Sequence, residues 1–234
     1  MSILEIKNIS KSFGNTKIID NISFNIEKGK IVGLLGKNGS GKTTIIKMIN
    51  DLLTIDSGDI LINGEHISDK TKAMISYLPE RTYLSNGQTV KQIFDFFEEF
   101  YYDFDRTKAE KLLTDLNLEI NANISKMSKG MKEKIQLILV MSRKAKLYIL
   151  DEPLGGVDPT TRDYILKTII SNFGEDSSLL ITTHLIRDIE SILDEVIFID
   201  NGKIILNENA DKLREKENKS IDEIFRRTVK WLKN

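Results

Sequence analysis

The chain has 234 residues, 40% of them hydrophobic and 29% charged, a balance that excludes a disordered polymer and fits a globular protein able to bury a sizeable core. Its 34 basic and 35 acidic residues leave a formal charge of −1, without the basic excess of a nucleic-acid binder, and the absence of cysteine removes disulfides and thiolate metal sites. The opening MSILEIKNIS lacks the features of a signal peptide, and runs such as IQLILVM fall far short of the ~20 apolar residues that span a bilayer, so we expect a chain soluble by itself that reaches any membrane through a partner.

The first 30 residues alternate apolar and polar side chains, which predicts half-buried strands, with a break at Gly14-Asn15. The apolar run KIVGLL follows, and then residues 36 to 44 read Gly36-Lys37-Asn38-Gly39-Ser40-Gly41-Lys42-Thr43-Thr44. They fit G-x-x-x-x-G-K-[ST] and lead into TTIIKMIN, which reads as a helix. A strand, a glycine loop and a helix start are what this motif needs to grip phosphate: the backbone N–H groups curl around its oxygens and the helix N-terminus adds partial positive charge. Lys42 is expected to reach the β- and γ-phosphates and Thr43 to ligate Mg²⁺, so the chain is read as binding a nucleoside triphosphate. GDILINGEHI predicts two short strands around Asn63-Gly64.

Residues 90 to 117 switch to helical spacing, with Ile93, Phe97, Phe100 and Phe104, then Ala109, Leu112, Leu113 and Leu116. At that spacing the aromatic stretch IFDFFEEFYYDF is expected mainly to pack in the core, a membrane contact being the other reading and compatible with it. A further helix is predicted over 129–142. The apolar runs KLYIL (146–150) and SLLITT (178–183) read as buried parallel strands, and EVIFIDNGKIIL (195–206) as a hairpin around Asn201-Gly202. The pattern predicts an α/β core interrupted by a helical insert. Residues 211–219 are densely charged, a solvated helix or linker. Residues 220–232 are amphipathic, with Ile221, Ile224, Phe225, Val229 and Leu232 on one side, and are expected to dock on the chain's own core.

LYILDE ends in Asp151 and Glu152. After a phosphate loop, a buried strand ending in two carboxylates suits an acid that holds Mg²⁺ through water and a neighbour that polarises the attacking water. Over essentially its whole length the chain then resembles the ATP-binding cassette (ABC) transporter ATPases. KMSKGMKEK (126–134) stands where that family has its signature, YLPE (77–80) where it has its glutamine loop, and Asp158 in GGVDP where it has a dimer-contacting loop. His184 in TTHL matches its switch histidine, and Phe13 its adenine-stacking aromatic. The resemblance implies a P-loop NTPase fold with a mainly parallel RecA-like sheet, an antiparallel β subdomain and an inserted α-helical subdomain. It places the catalytic core in 1–88 and 144–210, the helical subdomain in 89–143 and a C-terminal helical extension in 211–234.

The resemblance further implies an ATPase in which Ser128 and Gly130 bind the γ-phosphate held by a second copy, or by a paralogous ATPase, so that two chains sandwich two ATP molecules. It implies a separate transmembrane permease subunit and a cytoplasmic position against the membrane. Three departures stand out: Met127-Ser128-Lys129-Gly130-Met131 in place of Leu-Ser-Gly-Gly-Gln, Glu80 in place of glutamine, and Phe13 in place of the more frequent tyrosine. Glu80 can still ligate Mg²⁺ directly or through water. The SKGMK form resembles the branch serving bacterial drug, peptide and ion exporters. A weakly hydrolysing, nucleotide-gated regulator and a non-transport ABC protein are the alternatives. His66 has no such context and is read as structural or surface.

Overall fold

A computed structural model describes residues 1–155, 159–174 and 176–231. β1 (Ser2–Phe13) and β2 (Thr16–Glu27) form a hairpin across Gly14-Asn15, and β4 (Ser57–Ile62) and β5 (Glu65–His66) complete a four-stranded antiparallel sheet in the order β2-β1-β4-β5. The alternation of the sequence is the alternation of the sheet: Ile22, Phe24 and Ile26 are buried while Asn21, Ser23 and Asn25 between them face water. His66 lies exposed on its outer strand.

The second sheet has six strands in the order β10-β9-β3-β8-β7-β6. Its strands are β3 (Ile31–Gly36), β6 (Ile75–Leu78), β7 (Leu147–Asp151), β8 (Ser178–Thr183), β9 (Glu195–Asp200) and β10 (Lys203–Asn209). All pairs are parallel except β9 with β10, which turn at Asn201-Gly202. Every residue of β3, β7 and β8 is buried, because both faces of the sheet are covered. One face packs on the antiparallel sheet and on α1 (Lys42–Ile49), through Ile6, Phe24, Leu34, Ile46, Ile149 and Ile197. The other face lies under the remaining large helices. Leu35 pairs with Thr183 and Asp151 with Thr182, so the ends of β3, β7 and β8 open side by side at one edge of the sheet.

After the short α2 (Asp69–Lys72) and β6, the stretch up to β7 is helical: α3 (Val90–Phe100), α4 (Arg106–Asp115) and α5 (Lys129–Met141). Each start is capped by a side chain, from Thr89 with Gln92, from Asp105 and from Ser128. Arg143 fastens this region to the core. Its guanidinium donates to Asp103 Oδ1 at 2.9 Å, to the Ile75 carbonyl at 2.7 Å and to the Ala73 carbonyl at 2.7 Å.

The expected aromatic core face needs correction. Ile93 and Phe104 are buried and Phe97 is partly buried, but Phe100 is 67% exposed and stacks on Phe96 at 5.7 Å. The spacing 93, 97, 100, 104 assumed one continuous helix, whereas Tyr101 turns extended and ends it. Phe104 enters the core separately, against Phe94, the aromatic of this stretch that is fully buried. After β7 come α6 (Pro159–Asn172), the short α7 (Ile186–Ile189), α8 (Ala210–Glu217) and α9 (Ile221–Trp231). α9 docks on the core as its pattern predicts: Ile221, Ile224 and Val229 are buried and Phe225 meets Phe198 edge-on, while Leu232 lies outside the described residues. Among the described residues no helix is long and apolar enough to cross a membrane.

Candidate active site

The loop from Gly36 to Thr44 joins β3 to α1. Gly36 must be glycine because a Cβ there would sit 2.4 Å from Ser40 Oγ and 2.6 Å from the Ile199 carbonyl. Gly41, the residue before α1, has φ 110°, outside the range of L side chains. The loop curls around the Lys42 side chain, whose buried ammonium donates to the Gly36 carbonyl at 2.8 Å and the Lys37 carbonyl at 3.2 Å. Burial lowers the Lys42 pKa, against the opposing pull of Glu152, Asp151 and Glu80.

Lys42 Nζ lies 3.9 Å from Glu152 Oε1. Asp151, almost fully buried at the end of β7, accepts a hydrogen bond on Oδ1 from the Thr182 hydroxyl at 2.6 Å, while its Oδ2 is buried without a partner. Burial raises its pKa; the hydrogen bond from Thr182 and the neighbouring Thr43 hydroxyl only partly offset this, and the charges of Glu80 and Glu152 add to the rise.

Glu152 has φ 53°, and among the described residues it is the only left-handed one that is not glycine, asparagine or aspartate. Such a backbone costs about 1–2 kcal/mol and persists only where the surroundings enforce it. Here they do: the Glu152 N–H donates to the Thr182 carbonyl at 3.0 Å and hydroxyl at 3.1 Å, and its carbonyl accepts from Gly155 N–H at 3.0 Å. The carboxylate Oε2 accepts from the His184 N–H at 3.2 Å and lies 2.8 Å from its ring Nδ1.

These groups line a cleft of about 1240 Å³ that also takes in Asn38, Gly39, Gly41, Thr43, Thr44, Glu80 and Phe13. Gly36, Lys37 and Ser40 do not line it. Phe13, at the end of β1, is 52% exposed and presents its ring to the cleft. Ser128 and Gly130 are not part of the lining. Ser128 Oγ accepts from the Met131 N–H at 3.2 Å, and a Cβ on Gly130 would meet nothing within 4 Å, so this chain's own packing does not demand a glycine there. Asp158 lies outside the described residues.

Thr182, to which no motif assigns a role, holds both Asp151 and Glu152. Its signal in the sequence is a pair of threonines closing the buried run SLLITT. Among the described residues no group of three or more acidic or histidine side chains converges on one point. The residues do fit a cation held largely by phosphate oxygens, as Mg²⁺ prefers, because the orphaned Asp151 Oδ2 offers an acceptor beside Thr43.

Residues 19–155 match the family model described as "ABC transporter". The ABC transporter ATP-binding protein YtrB of Bacillus subtilis is 33% identical, over 91% of this chain and 74% of its own. The SkfA peptide export ATP-binding protein SkfE of Bacillus subtilis is 31% identical, over 88% of each. A solved structure of the ATP binding subunit of an ABC transporter superposes with a TM-score of 0.88 at 26% identity, covering 97% of this chain and 100% of that one.

Proposed function

The chain belongs to the ABC transporter family, and from that premise we propose that it is the motor of an exporter, driving a separate membrane subunit as one half of a two-chain ATP sandwich. Its family binds ATP and hydrolyses it in transporters. One observation carries the residue assignment: Lys42, Asp151, Glu152 and His184 meet at the open ends of β3, β7 and β8. The division into a core (1–88 and 144–210), a helical subdomain (89–143) and an extension (211–234) is part of the same proposal.

In this reading the phosphates lie along the N–H groups of Gly39 to Thr44 at the start of α1, and the Lys42 ammonium exchanges its loop carbonyls for β- and γ-phosphate oxygens. Thr43, and Asp151 through water, would hold Mg²⁺, which would neutralise the charge on those oxygens. Glu152 takes a proton from water as the water oxygen bonds to the γ-phosphorus; the bond from phosphorus to the β–γ bridging oxygen breaks, and ADP and phosphate result. His184 uses Nδ1 on Glu152, so it reaches the γ-phosphate as a donor only with a proton on Nε2.

Phe13 supplies a π-face for adenine. Phe13→Ala is expected to weaken ATP binding by about 1–3 kcal/mol, while Phe13→Tyr and Phe13→Trp bind like the parent. Titration of a fluorescent ATP analogue checks this, and equal affinity in the alanine variant makes Phe13 structural. Glu80 adds negative charge to the metal side of the cleft, where both Asp151 and Lys42 already feel it. Hydrolysis by the parent should therefore depend more steeply on Mg²⁺ concentration than hydrolysis by Glu80→Gln. Superimposable Mg²⁺ titrations would sink that role.

Ser128 and Gly130 serve the ATP of the opposite chain, with Asp158 at the contact between chains. The export direction is supported by the SKGMK signature and by likeness to a relative named for peptide export. Such a motor works on the cytoplasmic face, held there by its permease. The experiment is ATP turnover with and without the membrane protein that co-purifies with the chain. Stimulation by that protein is expected. Weak turnover in both states would favour a nucleotide-gated regulator, and brisk turnover with no membrane partner a non-transport ATPase.

A further inference from the structure

Immediately after His184 and Leu185 the chain enters α7, a helix of only four residues. So short a helix does not hold its own shape, and Leu185 gives it no side-chain cap. Its orientation comes from outside, and most of the anchors belong to the C-terminal extension. Arg187 Nε on α7 donates to Asp222 Oδ2 on α9 at 2.7 Å. The Asp222 side chain is only 4% exposed, and its Oδ1 accepts from Arg226 Nε at 3.0 Å. The Asp222 N–H donates to Glu190 Oε2 at 3.1 Å, and the Glu190 carbonyl accepts from Arg214 on α8. On the opposite side Arg162 of α6 pairs with Asp188 at 3.1 Å.

Apolar contact alone would dock α9, since Ile221 and Ile224 are buried in the same core as Ile186 and Ile189. A buried carboxylate is a poor way to add stability, because its desolvation offsets most of the attraction of its partners. What it adds is direction. The Arg187–Asp222 contact fixes where α7 points, and α7 continues the segment whose first residue holds Glu152. We propose that Asp222 is a positioning residue for hydrolysis, acting through Arg187 and α7 to keep the His184 ring on Glu152. This inference rests on the catalytic reading of Glu152 and His184 given above.

The test compares ATP turnover of the full chain and of Asp222→Asn, His184→Ala and the double variant, each with its melting temperature. Asp222→Asn should lower kcat on the order of tenfold while KM for ATP stays within about twofold, because the phosphate loop and Phe13 are untouched. In the His184→Ala background the same substitution should have no further effect on kcat. Arg187→Gln, at an exposed arginine, should reproduce the loss if Asp222→Asn folds poorly, and Arg226→Gln, which leaves the link to α7 intact, should turn over like the parent. An unchanged kcat in both Asp222→Asn and Arg187→Gln overturns the proposal. So does a loss that multiplies with that of His184→Ala, or one in which KM rises as kcat falls, since either marks general loosening. If His184→Ala itself hydrolyses normally, the catalytic reading of His184 fails first and this inference with it.

Discussion

Lys42→Ala is expected to lose ATP affinity by about 2–5 kcal/mol, roughly thirtyfold to several thousandfold, the cost of truncating one member of a desolvated charge pair. The size follows from where the ammonium sits. It is already buried, held by two loop carbonyls and facing Glu152 at 3.9 Å, so the proposed contact to phosphate requires little further burial. Alanine leaves the Gly36 and Lys37 carbonyls without that donor and removes the ammonium beside Glu152. The scaffold should survive, because β3, β7 and β8 are buried by apolar contacts that do not involve Lys42. Calorimetric titration with ATP, alongside a melting curve, measures both effects. A folded variant that binds ATP like the parent would remove Lys42, and with it the phosphate loop, from the proposed site.

Local chemistry was readable from the residues, and non-local geometry was not. Strand alternation in 1–30, the turns at Asn63-Gly64 and Asn201-Gly202 and the amphipathic 220–232 segment all follow from side-chain period and turn preference, and each appears in the fold, the last as far as α9 is described, to Trp231. The strand order does not follow from any local signal. β3 lies between β8 and β9, which come more than a hundred residues later, and this pairing is what brings the phosphate loop to Asp151, Glu152 and His184. The same limit explains the aromatic stretch: periodicity cannot announce that Tyr101 breaks the helix and sends Phe104 to the core by another route. It explains the site as well. Asp151 and Glu152 were legible as acids, but the left-handed backbone of Glu152, the grip of Thr182 on both and the unpartnered Asp151 oxygen arise only when β8 is laid beside β7. The anchoring of α7 by Asp222 is of the same kind, joining residues 35 apart through a contact neither segment signals alone.

Glu152→Gln is expected to reduce hydrolysis about 10²–10⁴-fold, the usual range for a positioned base. The amide keeps the shape of the side chain and an oxygen for the His184 N–H and ring, so the strained backbone at this position should remain enforced. Lys42, Thr43 and the loop amides are untouched, and ATP binding should persist. Ser128 and Gly130 do not line this chain's own cleft, although Lys129 between them does; in the proposed sandwich they serve the partner's ATP, so unspent ATP should hold a second chain, and the variant should run as a dimer with ATP at high protein concentration or with the membrane partner present. Adding Ser128→Arg should return it to monomer, but Ser128 also caps α5, and losing a cap costs about 1 kcal/mol. Gly130→Asp avoids that ambiguity. A Cβ there meets nothing within 4 Å in its own chain, an acid in the first turn suits the helix, and its charge would oppose the γ-phosphate of the partner's ATP. Glu152→Gln combined with Gly130→Asp should therefore bind ATP, fail to hydrolyse it and stay monomeric. A Glu152→Gln protein with normal turnover would take Glu152 out of the reaction. One that stops hydrolysing, binds ATP and never dimerises, even with the membrane subunit, would leave Glu152 as the base and undo the sandwich.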